Sequence, residues 1–270
     1  MTASPNGSPT IRSSEFSLRY GPWAVVTGAS DGIGRSFATA LAARGLNLLL
    51  VARREAVLQA LADDLQAAHG VQCRVLAADL SSAEGQAAVR EASDGLDVGL
   101  AVCAAGFGSS GDFLDSDLDN ELNMLRLNCE ATTTLAWHLG QRLVQRGRGG
   151  LILLSSIVAF QGVPRSAHYA ATKAYVQTLA EGLRQEWRGR GVEVLAVAPG
   201  PVNTGFAARS KMAITRADTP DEVARYSLMA LGLLGTVRPG RLASLMGYAL
   251  ALLPRAVRVR IMAQAMKGMT

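Results

Sequence analysis

Trp23-Ala24-Val25-Val26-Thr27-Gly28-Ala29-Ser30-Asp31-Gly32-Ile33-Gly34 is the stretch on which the reading of the fold depends. Residues 23–26 form a short apolar strand, and a helical pattern begins at the glycines and runs to about Arg44. Glycines at 28, 32 and 34 let the backbone turn tightly and approach a ligand without a Cβ in the way. The helix that follows offers free N–H groups suited to a pyrophosphate. A glycine-rich turn alone is weak evidence, but between a first strand and a first helix it points to a dinucleotide. Asp31 is read as a helix N-cap.

Further along, strand and helix patterns alternate. Residues 46–52 form an apolar strand ending in Arg53-Arg54. An acidic side chain there would suit the ribose hydroxyls of NAD, whereas arginine suits the additional phosphate of NADP. The alternatives are two exposed arginines opening the helix 55–68, or Glu55 reaching a ribose. A third strand, 72–77, leads to Asp79-Leu80, where the carboxylate either accepts from an adenine amino group or caps a helix. The fourth strand, 98–104, ends in Ala105-Gly106, and the glycine lets the backbone pass close to a cofactor. Residues 118–145 carry a long helical pattern in which Asn128 is a polar residue in an apolar setting, either a core hydrogen-bonder or part of a proton path.

The apolar run 151–154 reads as another strand, followed by Ser155-Ser156 and then a helix in which Val176, Leu179, Leu183 and Trp187 recur at helical spacing. Tyr169 stands in its first turn and Lys173 four residues on, one above the other. A neighbouring ammonium favours the phenolate, which predicts a Tyr169 pKa below the ordinary value of about 10. Ser156, at the strand end, is placed to hydrogen-bond the oxygen on which Tyr169 acts. The chain has only Lys173, Lys211 and Lys267 beside a large excess of arginine, so a lysine here is more telling than its spacing alone. Residues 192–198 form a further strand, then Pro199-Gly200-Pro201-Val202-Asn203-Thr204 makes a rigid turn. Residues 205–218 read as a flap over substrate, ahead of a helix capped by Thr219 with Pro220 at its first position.

Ligand motifs at the carboxyl ends of alternating strands imply an α/β fold with a doubly wound parallel sheet, the Rossmann arrangement, in a single domain over residues 20–270. Residues 1–19, rich in Ser, Pro, Thr and Asn, are expected to be a disordered tail rather than a signal peptide. With 270 residues, 49% hydrophobic and 18% charged, the chain can bury a full core. Its +5 formal charge is scattered, with no basic run among aromatics, which argues against nucleic acid. Cys73, Cys103 and Cys129 lack metal-ligand spacing and read as reduced core residues of a cytoplasmic protein, with no metal. No segment approaches the roughly 20 apolar residues that span a bilayer. The apolar stretch 242–269, with interspersed Arg255, Arg258, Arg260 and Lys267, suits core and oligomer packing, a lipophilic pocket wall or peripheral membrane contact.

Together these residues resemble the classical short-chain dehydrogenase/reductases from about Tyr20 onward. The resemblance places the glycine motif at 27–34 and the catalytic set at Asn128, Ser156, Tyr169 and Lys173. It implies hydride transfer between a nicotinamide and a carbonyl or alcohol carbon. Tyr169 would be the general acid in reduction, Ser156 would hold the substrate oxygen, and Lys173 would bind the ribose and lower the tyrosine pKa. Asn128 would hold the water of a proton relay. The implied cofactor contacts are Gly28, Ser30, Asp31, Gly32, Ile33, Gly34, Arg53, Arg54, Asp79, Leu80, Ala105, Gly106, Tyr169, Lys173, Pro199, Gly200, Val202 and Thr204. Cys103-Ala104 stands where the family has Asn-Asn, so an amide brace of the sheet is missing. Residues 20–34, with Leu245-Met246-Gly247 and Leu253-Pro254, are similar to the very-long-chain 3-oxoacyl-CoA reductase and hydroxysteroid dehydrogenase branch. The resulting expectation is an NADPH-dependent ketoreductase acting on a lipophilic or acyl-chain ketone. The alternatives are an NAD-linked alcohol or steroid dehydrogenase working oxidatively, and a non-catalytic dinucleotide sensor. By analogy a homodimer or homotetramer is expected, through the helices near 118–145 and 169–188.

Overall fold

In the computed structural model, residues 13–203, 218–240, 247, 249–250 and 252–267 are described. The chain runs α1 (Ser13–Tyr20), β1 (Trp23–Thr27), α2 (Gly32–Ala42), β2 (Asn47–Ala52), α3 (Glu55–His69), β3 (Cys73–Ala77), α4 (Ala83–Ser93) and β4 (Val98–Cys103). It continues through α5 (Leu118–Leu125), a π-helical turn (Arg126–Glu130), α6 (Ala131–Arg146) and β5 (Gly149–Leu154). Then follow α7 (Ala167–Trp187), β6 (Val192–Val197), α8 (Pro220–Ala230), β7 (Thr236–Val237) and α9 (Arg255–Lys267).

The central strands β1, β4 and β5 are buried along their whole length because both faces of the sheet are covered by helices, whereas the edge strand β3 is only partly covered. In β1, Ala24 and Val26 enter a core with Phe37 and Leu41 of α2, while Trp23 and Val25 enter a second core with Leu135 and Leu139 of α6. The seven strands pair in parallel in the order β3-β2-β1-β4-β5-β6-β7, the doubly wound sheet expected from the alternating pattern. Chain direction across the sheet reverses between β1 and β4, so a crevice opens beyond their carboxyl ends. The glycine turn after β1 and Ala104–Gly106 after β4 therefore face each other, and the β5 end with Ser156 lies next to them. Thr219 caps α8 through a reciprocal bond with Glu222, and Pro220 takes the first position, as its sequence predicts.

Part of the segment expected to be a disordered tail is helical. Residues 13–20 form α1, with Phe16 and Tyr20 buried at 3% and 1% exposure and their rings 4.6 Å apart. Two aromatics one helical turn apart supply the anchor that overall composition conceals, and Arg19 and the Tyr20 hydroxyl both bind Glu193 of β6. Residues 1–12 lie outside the described residues, as do Thr204, most of the expected flap (204–217) and Leu245-Met246. Val202 and Asp218 nevertheless form a parallel bridge, with Asn203 N donating to Asp218 O at 3.1 Å, so the chain leaves and re-enters this stretch at one point.

Candidate active site

β5 delivers Ser155-Ser156, a short 3-10 turn (Ile157–Phe160) follows, and α7 returns Tyr169 and Lys173 to the same place. Ser156, Tyr169 and Lys173 are all buried, and Ser156 hydrogen-bonds the Tyr169 hydroxyl. Lys173 Nζ donates to Leu154 O at 2.8 Å, and Ser155 Oγ donates to Lys173 O at 3.1 Å, so the strand end holds the helix at this turn. The ammonium lies 5.9 Å from the Tyr169 ring centroid.

The i, i+4 spacing predicts a lowered Tyr169 pKa, but the structure reverses that direction. Burial pushes the phenol up to about 12, and the bond from Ser156 offsets only part of this. Burial also brings the Lys173 amine down to about 8. Lys173 keeps its charge at neutral pH, but burial of the phenol outweighs its pull, with one N–H directed at Leu154 O and the nitrogen 5.9 Å from the ring centroid. Tyr169 is thus a protonated acid across the neutral range.

Asn128 sits in the π-helical turn between α5 and α6, where the wider ring displaces its side chain from the regular helical register. Its amide is engaged throughout. Nδ2 donates to Phe107 O at 2.9 Å and Thr172 Oγ1 at 3.0 Å, and Oδ1 accepts from Phe107 N at 3.1 Å. The bonds expected of a core hydrogen-bonder are present. Asn128 ties the loop at Phe107 to Thr172 of α7, whose hydroxyl in turn donates to Tyr169 O.

The glycine turn has the shape its sequence predicts. Gly28 has φ +67, and a Cβ there would lie 3.0 Å from the backbone of Ala104 and Ala105. A Cβ at Gly34 would stand 2.3 Å from Gly28 O, so the first turn of α2 packs onto the loop only with glycine at this position. Asp31 occupies the N-cap position, but its side chain does not cap the helix. Across the crevice, a Cβ on Gly106 would meet Asn128 Oδ1 at 2.9 Å and Lys173 Nζ at 3.3 Å. The missing Asn-Asn pair has a substitute that sequence reasoning overlooked. Thr27 Oγ1 accepts from Ala104 N at 3.0 Å and Ala105 N at 3.1 Å, bracing β4 from β1 instead of from its own side chains. A β-branched residue ending a strand gives no signal that its hydroxyl does this.

At the end of β2, Arg54 turns back onto the glycine loop, donating to Ser30 O at 2.9 Å and Ser30 Oγ at 3.1 Å. Arg53 faces Asp79, whose carboxyl is drawn below its ordinary range. Burial alone would raise it, but hydrogen bonds from Ser81 N and Oγ and the Arg53 charge outweigh that. Asp79 makes this Ser81 turn at 3.0 and 2.8 Å, and Ser82, not Asp79, caps α4. Leu80 is buried beside it. Pro199 O accepts from Ile157 N at 3.0 Å, which fixes the Pro199-Gly200 turn against the Ser156 loop, and Val202 is buried next to it. The glycine turn between β1 and α2, the N-terminus of α2, Gly106 and the arginines after β2 fit a dinucleotide running from β2 toward Lys173. Ile33 and Ala105 line this path, packed on the two cores. All three cysteines are free, and the described residues contain no cluster of metal-ligating side chains.

A model of the short chain dehydrogenase family matches residues 22–214. A very-long-chain 3-oxoacyl-CoA reductase-like protein of Arabidopsis thaliana is 34% identical over 245 residues, covering 87% of this chain and 78% of that protein. Among solved structures, a chain from work on 7beta-hydroxysteroid dehydrogenase stereoselectivity is 26% identical with a TM-score of 0.85, covering 92% of this chain and 98% of its own. A short-chain dehydrogenase from Sphingobium yanoikuyae, in complex with NADPH, is 31% identical with a TM-score of 0.76 and covers 86% of this chain and 94% of its own.

Proposed function

The chain belongs to the short-chain dehydrogenase family, and on that premise we propose that it is an NADPH-dependent ketoreductase acting on a lipophilic or acyl-chain ketone. The observation that carries the reading is the buried Ser156–Tyr169 pair, in which the phenol stays protonated far above neutral pH. A bound nicotinamide supplies the hydride. Ser156 holds the carbonyl oxygen, Tyr169 gives it a proton, and Lys173 and Asn128 fix the helix turn that aims the phenol. Alcohol oxidation needs Tyr169 as a base, and burial works against that at neutral pH.

Arg54 on the glycine loop and Arg53 beside Asp79 support NADP(H) over NAD, as two cations flank the place where the 2′-phosphate would lie. Arg54→Glu is expected to raise the Kd for NADPH about tenfold or more, the loss of one charge-assisted bond, and to leave NADH binding nearly unchanged. Fluorescence titration with both nucleotides reads this directly, and an equal effect on the two would remove the phosphate assignment.

The lipophilic part of the proposal rests on α9, where Met262 and Met266 pack with Val158, Val163 and Ala170 over the catalytic loop. The chain is proposed to be cytoplasmic, and no described helix is long and apolar enough to cross a membrane. Leu252, 88% exposed just before the basic α9, leaves a peripheral membrane contact within the same reading. Leu118, Leu122 and Leu125 at helical spacing on α5, together with Trp137 of α6 and Tyr175 of α7, are exposed apolar side chains. These side chains are what a homodimer or homotetramer would cover. Light scattering is expected to give a mass at least twice that of the chain, and a monomer would refute the assembly.

The decisive experiment is NADPH oxidation against a 3-oxoacyl thioester, a ketosteroid and an aryl ketone. Turnover of a ketone supports the proposal, and nucleotide binding without turnover of any of them counts against it.

A further inference from the structure

We propose that Glu121 and His168 are a positioning pair that holds the substrate-side wall of the site, a role that deepens the ketoreductase reading and rests on it. Glu121 lies on α5, and its side chain is 3% exposed. A carboxylate buried that far requires a partner. His168 Nδ1 supplies it at 2.7 Å from Oε2, and His168 is in the first turn of α7, immediately before Tyr169. Phe113 packs edge-on against the imidazole, centroids 6.3 Å apart at 89°.

The pair lies at the centre of a closed polar structure. Gly111 N donates to Arg165 O at 2.9 Å, and Ser166 Oγ donates to Ser109 O at 3.2 Å, so the loop after β4 is fastened to the segment entering α7. Arg165 is held in the left-handed region at φ +66, a conformation that a non-glycine residue keeps only when its surroundings impose it. A small cavity remains between the two segments, lined by Ser109, Ser110, Ser116, Arg165 and His168. Hydroxyls and charge thus line the cavity beside His168, one residue before Tyr169, while Val158 and Val163 pack with the α9 methionines.

The mechanical consequence is selective. Lys173 is tethered to β5 through Leu154 O, and Asn128 is tied to Phe107 and Thr172, all independently of Glu121. Loss of the pair therefore loosens the first turn of α7 against α5, and leaves the loop bonds at Ser109 and Gly111, the glycine turn and Arg54 as they are. Misplacement of a reacting group by about 1 Å costs on the order of a hundredfold in rate.

His168→Ala, His168→Gln and Glu121→Gln test this, each measured for kcat and KM with NADPH and the ketone of the panel that the wild type reduces, and for NADPH Kd. For His168→Ala, kcat/KM for the ketone is expected to fall at least about tenfold, through a lower kcat as well as a higher KM, with an unchanged NADPH Kd. Glu121→Gln, which keeps an acceptor for the imidazole N–H, recovers most of the activity. If His168→Ala does not fold, His168→Gln carries the test, with the same direction and a smaller size. Wild-type kinetics in the histidine variants, or ketone KM and NADPH Kd worsening together, would overturn the pair's positioning role. A wild type that reduces no ketone overturns the ketoreductase reading instead, and this proposal falls with it.

Discussion

Tyr169→Phe is expected to lower kcat/KM for ketone reduction by about a thousandfold, within the range of a lost general acid, while NADPH Kd and thermal stability stay close to wild type. The substitution removes one oxygen whose partner is Ser156. The ring stays in place among the same neighbours, so the packing of α7 on β5 is kept. Ser156 retains contact with Val158 N and its position against the Pro199 turn, which separates the proton-transfer loss from a folding loss. The pH dependence follows from the same burial. With the phenol pushed up to about 12, reduction shows no alkaline decline in the neutral range from deprotonation of Tyr169, whereas alcohol oxidation rises with pH because it needs the phenolate. Since the folded pKa exceeds the ordinary value of 10, the phenol contributes nothing to pH-dependent stability below about 10, and above it the folded state loses stability as the unfolded chain ionises. A Phe variant that reduces ketones at near wild-type rate would end the role assigned to Tyr169.

What sequence made legible here is what repeats along the chain. Strands covered on both faces are continuous apolar runs, so β1, β2, β4, β5 and β6 stand out, and glycines at 28 and 34 announce a turn whose backbone admits no Cβ. Tyr169 and Lys173 were recognisable because helical spacing puts them together. The electrostatic consequence was not, because spacing reports distance and carries no information on burial or on a carbonyl 19 residues away competing for the ammonium. The π-helical turn at Asn128 adds one residue to a helical ring, a change that an apolar period over 118–145 does not resolve. Glu121 was invisible for a related reason. It looks like one more surface acid on α5, and only the approach of α7 makes it a buried one. The helix at 13–20 was missed because two aromatics were outweighed by the surrounding polar residues.

Lys173→Met separates the chemistry of the site from its stability and moves the two in opposite directions. The amine is fully enclosed and titrates at about 8 instead of 10.5, because burial penalises its charged form. Below about pH 8 it is charged in both folded and unfolded states, and the folded state bears the whole penalty, on the order of 3 kcal/mol. Between about 8 and 10.5 the unfolded chain binds a proton that the folded chain has released, so stability rises with pH until the penalty is gone. Methionine has a similar length and no charge. Its one structural cost is the acceptor left at Leu154 O, about 1–3 kcal/mol, which takes back much of the gain. The variant is therefore expected to be as stable as wild type or slightly more so at pH 7, and to lose ground to it steadily toward pH 10.5, as urea unfolding at several pH values would show. Activity falls regardless. Lys173 Nζ lies where a Cβ on Gly106 would touch it and 5.9 Å from the Tyr169 ring centroid, so its loss removes the cation beside the proton donor. A fall in kcat/KM of about a hundredfold or more is expected, comparable to removing one preorganised donor from a developing oxyanion. A stability–pH curve parallel to wild type would mean that the amine is not buried as the structure has it. Retained activity would mean that Tyr169 and Ser156 suffice without it.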